Sequence, residues 1–229
     1  MNMDALWKNI SDLTHVEGIE VVSTTSLRSI SKLFTLETAA ENLISQFKTA
    51  VVVGIPVPSA SFYEIVDVPT LLYFHHYRQV NYALDRIALK IALLLEGTGF
   101  ESIAIPASQI VSWQPIPRGH ISHKMLGYFA GLGWRGRNNL LVHPQYGSQM
   151  RYVSVLTKAE IEREVEPVTF SCGSCDKCIS VCPVGAIKEN PEEFDANACS
   201  SKLREFSKLP FIGQQVCGIC VKACGKNVK

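Results

Sequence analysis

Hydrophobic positions recur at helical spacing in three stretches of the first hundred residues. The pattern predicts a short helix over residues 4–13 and a long helix over residues 77–95. A second helix is expected to follow Thr35, because Thr35 can act as an N-cap before an apolar stripe that ends near Phe47. These helices are expected to bury their apolar faces against a sheet.

Strands are predicted between the helices. Residues 19–23, 49–57 and 100–107 are short apolar runs, and the middle run is typical of a central strand that is covered on both faces. Residues 59–69 show no period and are expected to form a loop. The alternation of helices and strands predicts an α+β fold of the layered α/β kind.

Composition restricts the class of protein. The chain has 229 residues, of which 47% are hydrophobic, and a net charge of +1. Its apolar runs are far shorter than the roughly 18 residues that a membrane span needs, and no export signal is recognisable, so a cytoplasmic protein is expected. The near-neutral charge does not favour a nucleic acid partner.

All eight cysteines lie at or after residue 172. The spacing C-x2-C-x2-C-x3-C-P is typical of a 4Fe-4S site in which the fourth cysteine ligates the other cluster of a pair. The first predicted cluster takes Cys172, Cys175, Cys178 and Cys224. The second predicted cluster takes Cys182, Cys199, Cys217 and Cys220. A zinc site, usually built from two separated C-x2-C pairs, and a disulfide framework are the weaker alternatives.

A glycine-rich segment between residues 118 and 157 is the second informative signal. Ser122 can cap a short helix over residues 123–130, which Gly131 and Gly133 would end. The arginines and asparagines that follow suit the binding of a large polar cofactor. A pair of tight turns with solvated arginines explains the same residues equally well.

The run AGLGWRGRNNLLVHPQYGS, followed by VLT and CGSCDKCISVCPVGAI, resembles the epoxyqueuosine reductases and the catalytic part of reductive dehalogenases. The family motif commonly reads A-G-L-G-W-x-G-K-N-x-L-L, so Arg137 stands where the family has lysine. The lone cysteine in FDANACSSK and the later C-x2-C-x3-C also match. The resemblance extends loosely over most of the chain.

The resemblance implies a nitroreductase-like cobalamin-binding domain over residues 1–166 and a ferredoxin-like module with two 4Fe-4S clusters over residues 167–229. Electrons would pass from a low-potential donor such as ferredoxin or flavodoxin to a corrinoid without its lower base, and on to a small organic substrate. Two alternatives are a corrinoid-reducing electron-transfer protein without its own substrate and a reductase that uses flavin mononucleotide (FMN). The residues expected to bind the large cofactor are Lys124, Gly131, Gly133, Trp134, Arg135, Gly136, Arg137, Asn138 and Tyr146.

Two departures from the family limit what the resemblance implies. Pro117 occupies the position of the acidic proton donor, so His120 and His123 are the candidate catalytic residues, because histidine can donate a proton near neutral pH. Capping the helix or bonding to backbone is their alternative role. The chain also ends at Lys229 without the family's helical-repeat tail. These departures favour a substrate other than transfer RNA.

Overall fold

The computed structural model describes residues 2–28, 30, 38–112, 116–161, 163, 165 and 168–225. The helices within this part of the chain are α1 (Met3–Val16), α2 (Thr38–Ser45), α3 (Leu71–Gly97), α4 (His123–Phe129), α5 (Lys177–Ser180), α6 (Ala196–Phe206) and α7 (Ile219–Ala223). Short 3₁₀ turns occupy Ser59–Phe62 and Pro191–Glu193. The strands are β1 (Val21–Ser26), β2 (Thr49–Pro56), β3 (Ser102–Ile105), β4 (Trp134–Arg135), β5 (Leu141–Val142) and β6 (Met150–Thr157).

The main sheet has four strands in the order β1-β2-β6-β3, and every pair is antiparallel. β4 and β5 form a separate two-stranded ribbon. β2 lies inside the sheet and is buried from Thr49 to Gly54, as its unbroken apolar run predicts. The predicted mixture of helices and strands is confirmed, whereas the nitroreductase-like topology stays a prediction.

Helix α3 begins six residues before its predicted start. The Thr70 side chain accepts a hydrogen bond from the Tyr73 backbone N–H at 3.2 Å and caps the first turn. Tyr73 and Phe74 are buried there. The predicted strand over residues 100–107 is shorter, at Ser102–Ile105. The predicted N-cap Thr35 lies outside the described residues.

The cysteine-bearing part shares a core with the rest of the chain. Phe206, Val216 and Ile219 are buried in the same apolar cluster as residues of α1, β2 and α3. Gly218, at φ +86°, lets this part approach closely, because a Cβ atom there would lie 2.6 Å from the Tyr73 ring. The predicted boundary at 166/167 lies outside the described residues, and the two-domain division stays a prediction.

The opposite face of the sheet is covered by α4. Leu126 of this helix is fully buried in a second apolar cluster. Gly127 allows the close approach, because a Cβ atom there would lie 2.5 Å from the Leu141 side chain. None of the helices in the described ranges is long and apolar enough to cross a membrane.

Candidate functional site

The first predicted set of thiols is brought together by the fold. Burial, followed by the neighbouring thiols of Cys224, Cys172 and Cys175, raises the pKa of Cys178 to about 11. The same neighbours, Cys172 and Cys175, contribute to the raised pKa of Cys224 after burial. We name Cys172, Cys175, Cys178 and Cys224 the first thiol set.

The remaining cysteines form a second set beside the first. Burial, followed by the thiols of Cys217 and Cys182, raises the pKa of Cys199 to about 11. Burial also raises the pKa of Cys220, with contributions from Cys217, Cys199, Cys178 and Cys182. Because Cys178 of the first set also raises the pKa of Cys220, the two sets are adjacent. We name Cys182, Cys199, Cys217 and Cys220 the second thiol set.

The chemistry of both sets fits iron–sulfur clusters. All eight cysteines are free thiols, and four thiolates form the usual ligand set of a 4Fe-4S cluster. The Ala186 backbone N–H donates a hydrogen bond to the Cys182 sulfur at 3.3 Å, which is the kind of contact that tunes cluster potentials. Within the described residues, no three Cys, His, Asp or Glu side chains converge on a single-ion site.

Two arginines of the glycine-rich segment hold the cysteine-bearing loops. The Arg137 guanidinium donates to the backbone carbonyls of Cys175, Gly173 (2.9 Å) and Glu189 (2.8 Å). Arg135 forms an ion pair with Glu192 at 2.6 Å. These side chains therefore connect the β4–β5 ribbon to the segment that carries the thiols.

The glycines of this segment allow close contacts within the protein. A Cβ atom on Gly133 would lie 2.1 Å from the Val142 carbonyl oxygen, and one on Gly147 would lie 2.1 Å from the Cys224 carbonyl oxygen. A Cβ atom on Gly136 would lie 2.5 Å from the Val142 side chain. At Gly133 and Gly136, which were expected to bind the cofactor, the space beside the backbone is therefore filled by protein atoms.

A large cavity opens beside α4, with a volume of about 1010 Å³. Its wall is formed by Ala107, Val111, Ser112, residues 117–125, Leu140, Leu141, Ser148, Met150, Arg151, Tyr152 and Leu203. Among the described residues, the lining contains three basic side chains, Arg118, Lys124 and Arg151, and no carboxylate. Binding pockets typically measure about 300–1,000 Å³, so this cavity, which we name the central cavity, is at the upper end of that range and is the candidate site of a large cofactor.

The predicted cofactor residues are divided by the fold. Lys124 lines the central cavity, whereas the other eight are not part of its lining. Trp134 is buried with its ring 6.1 Å from that of Phe170. Asn138 is buried and donates to the Ser148 hydroxyl at 3.0 Å. Gly131, at φ +69°, ends α4 as predicted. Tyr146 packs against the second apolar cluster, which contains Leu126 of α4.

Lys124 connects the cavity with the second thiol set. The residue is exposed at the cavity wall, but desolvation by the surrounding protein lowers the pKa of its ammonium to about 8, helped by the charge of Arg135. The Cys199 thiol acts in the opposite direction on the same pKa, so the two groups are neighbours. The ammonium donates to the Asn139 carbonyl at 2.7 Å.

The two candidate catalytic histidines both line the central cavity, next to Pro117. The His123 Nε2–H donates to the Pro106 carbonyl at 3.0 Å, so Nδ1 accepts from the Ser154 hydroxyl at 2.9 Å. Burial lowers the pKa of His123 to about 4, and the ring is neutral at pH 7. The His120 side chain is exposed, which leaves it better placed to exchange a proton.

Two residues of the cavity wall, Arg151 and Tyr152, were not predicted from the sequence. Arg151 is held by the Asn81 side chain at 3.0 Å and the Ala107 carbonyl at 3.2 Å, and its guanidinium lies 4.5 Å from the centre of the Tyr77 ring. Tyr152 is buried at the cavity wall, and its hydroxyl has no hydrogen-bond partner among the described residues. Both lie at the start of β6, ahead of the VLT that takes part in the family resemblance.

Residues 171–227 match the family model of a 4Fe-4S double cluster binding domain. The thiol sets and this match together define an iron–sulfur protein.

An epoxyqueuosine reductase of Bacillus anthracis is 30% identical over 120 residues, which are 49% of this chain and 31% of the relative. A solved epoxyqueuosine reductase with an epoxyqueuosine-modified tRNA stem loop superposes with a TM-score of 0.62 at 20% identity, over 100% of this chain and 68% of that one. A catabolic reductive dehalogenase in complex with 3-bromo-4-hydroxybenzoic acid superposes with a TM-score of 0.71 at 16% identity, over 94% of this chain and 31% of that one. The resemblance is thus confirmed: the chain is related to the epoxyqueuosine reductases and shares its fold with the reductive dehalogenases.

The prediction that disfavours a nucleic acid partner is wrong. One of the structures that superposes on the whole chain contains a tRNA stem loop. Net charge averages over the whole surface and does not show a local group of basic residues such as Arg118, Lys124 and Arg151, which lie together in the described lining of the central cavity. A local positive potential is sufficient to attract a polyanion.

Proposed function

We propose that the chain is an iron–sulfur oxidoreductase that passes electrons from two 4Fe-4S clusters to a corrinoid in the central cavity. One observation supports this most strongly: the cavity wall contains residues that lie next to cysteines of both thiol sets. Ser148 lines the cavity, and its backbone N–H donates to the Cys224 carbonyl at 2.9 Å. Leu203 lines the cavity from α6, the helix that also carries Cys199.

Each group of residues has a separate part in this proposal. The two thiol sets hold the clusters, and the corrinoid supplies a strong reductant and nucleophile when it is bound. Lys124 and Arg151 place positive charge where the reduced group and the substrate would carry negative charge. His120 supplies the proton, while His123 is a second candidate that must first release its bond to Pro106.

For the substrate, we propose a modified base carried by a tRNA stem loop. The support comes from the related epoxyqueuosine reductases and from the cationic lining of the cavity. The chain covers 31% of the first relative and 68% of the tRNA-bound structure, so both activity and substrate need direct measurement.

The cofactor proposal is tested with the anaerobically purified chain. We expect about eight irons per chain, four for each cluster, and a change in the corrinoid spectrum when cobalamin and a chemical reductant are added. A cluster-loaded protein that does not bind cobalamin would contradict the proposal. A yellow, fluorescent chromophore released on denaturation would favour the flavin alternative.

The substrate proposal needs a second assay. The loaded protein is incubated with an epoxyqueuosine-containing stem loop, and the nucleosides are then analysed by mass spectrometry. Conversion of the modified base supports the proposal. Reduction of the bound corrinoid without conversion of the base would favour the electron-transfer alternative.

A further inference from the structure

We propose that Arg137 is a positioning residue that fastens the loop of the first thiol set and raises the reduction potential of the cluster held there. This inference rests on the proposed cluster assignment. It concerns a residue that the sequence placed in the cofactor site and that the fold places elsewhere.

Arg137 connects two loops through three backbone carbonyls. Its Nη1 and Nη2 atoms donate to Cys175 and Gly173 in the first cysteine loop, and its Nε atom donates to Glu189 beyond Pro183. The planar guanidinium presents these donors in a fixed geometry. Rotation of the loop away from the β4–β5 ribbon would therefore break more than one charge-assisted hydrogen bond at once.

The charge of Arg137 has no acidic partner within the described part of the chain. The neighbouring Arg135, in contrast, is paired with Glu192. A reduced 4Fe-4S cluster carries one more negative charge than the oxidised cluster, so an uncompensated cation beside its loop stabilises the reduced form. Net charge and hydrogen bonding are known determinants of cluster potential.

Three variants separate the two effects of Arg137. Arg137→Met removes charge and hydrogen bonds, Arg137→Lys keeps the charge but loses the planar fork, and Arg135→Met is a control on the same ribbon. Arg135 contacts Glu192 and Pro191 rather than the first cysteine loop. Each reconstituted protein is assayed for iron release to a chelator and titrated electrochemically with detection by electron paramagnetic resonance.

We expect Arg137→Met to lose iron from one cluster about tenfold faster, equivalent to about 1.4 kcal/mol, and to lower the potential of that cluster alone. Arg137→Lys should keep a potential close to that of the wild type while losing iron at an intermediate rate. Arg135→Met should match the wild type in both measurements.

The inference is overturned if Arg137→Met matches the wild type in both measurements, or if Arg135→Met reproduces its changes. Should Arg137→Met fail to fold, Arg137→Lys decides, and a wild-type rate of iron release in that variant overturns the inference. A wild-type chain without iron would instead refute the underlying cluster assignment.

Discussion

Replacing Gly147 by alanine is expected to remove one cluster. Gly147 has φ +61°, and a Cβ atom there would lie 2.1 Å from the Cys224 carbonyl oxygen. The left-handed backbone costs an alanine about 1–2 kcal/mol, and the overlap with a backbone atom adds a displacement of Cys224. Gly213 has the same φ of +61° with no atom within 4 Å of its added Cβ, so Gly213→Ala measures the backbone strain alone.

The comparison of the two alanine variants isolates the steric effect. We expect both to lower the melting temperature, but only Gly147→Ala to lose iron, falling from about eight irons per chain towards four. Iron and acid-labile sulfide are quantified beside thermal unfolding of the same anaerobic samples. Equal losses of stability with full iron in both variants would refute the argument that the Gly147 contact positions Cys224.

The remaining predictions concern the cluster ligands, the partly buried His123 and the basic residues of the central cavity. Cys178→Ser should lose one cluster and keep the signal of the other, whereas loss of both signals would show that the two assemble as a unit. The pKa of His123 is about 4 in the folded chain, against an ordinary value of 6.5. The unfolded chain therefore binds the proton first, and the stability of the fold should fall as the pH drops from 6.5 towards 4. His123→Asn should lessen this dependence of the melting temperature on pH, and an unchanged dependence would contradict the prediction. Lys124→Met should weaken stem-loop binding and reduce its salt dependence by about one charge in filter-binding assays, and an unaltered salt slope would place the RNA elsewhere.

The sequence pattern predicted best those elements whose own residues show which face is buried. The run over residues 49–57 gave β2 to within one residue, since a strand covered on both faces has no polar positions. The start of α3 was not predicted, because its first four residues are all apolar in the sequence, whereas only Tyr73 and Phe74 are buried and Leu71 and Leu72 are exposed. This order gives no regular apolar stripe at the first turn.

The site was predicted only where spacing fixes geometry. The successive gaps between Cys172, Cys175 and Cys178 place three thiols on one loop, and the fold brings them together. The partners of Arg135 and Arg137 lie at least 36 residues further along the chain, so no local pattern distinguishes an arginine that holds a loop from one that binds a cofactor. The cavity role of Arg151 likewise depends on distant Asn81 and on Ala107.

The shared core has a consequence for the chain in a cell that is short of iron. Phe206, Val216 and Ile219 come from the cysteine-bearing part and are buried in the same apolar cluster as residues of α1 and α3. If this part loses its order without its clusters, the main core loses some of its cover. Chains made during iron starvation should therefore be degraded by proteases rather than accumulate as intact but inactive protein. The abundance of the chain would then follow the iron supply.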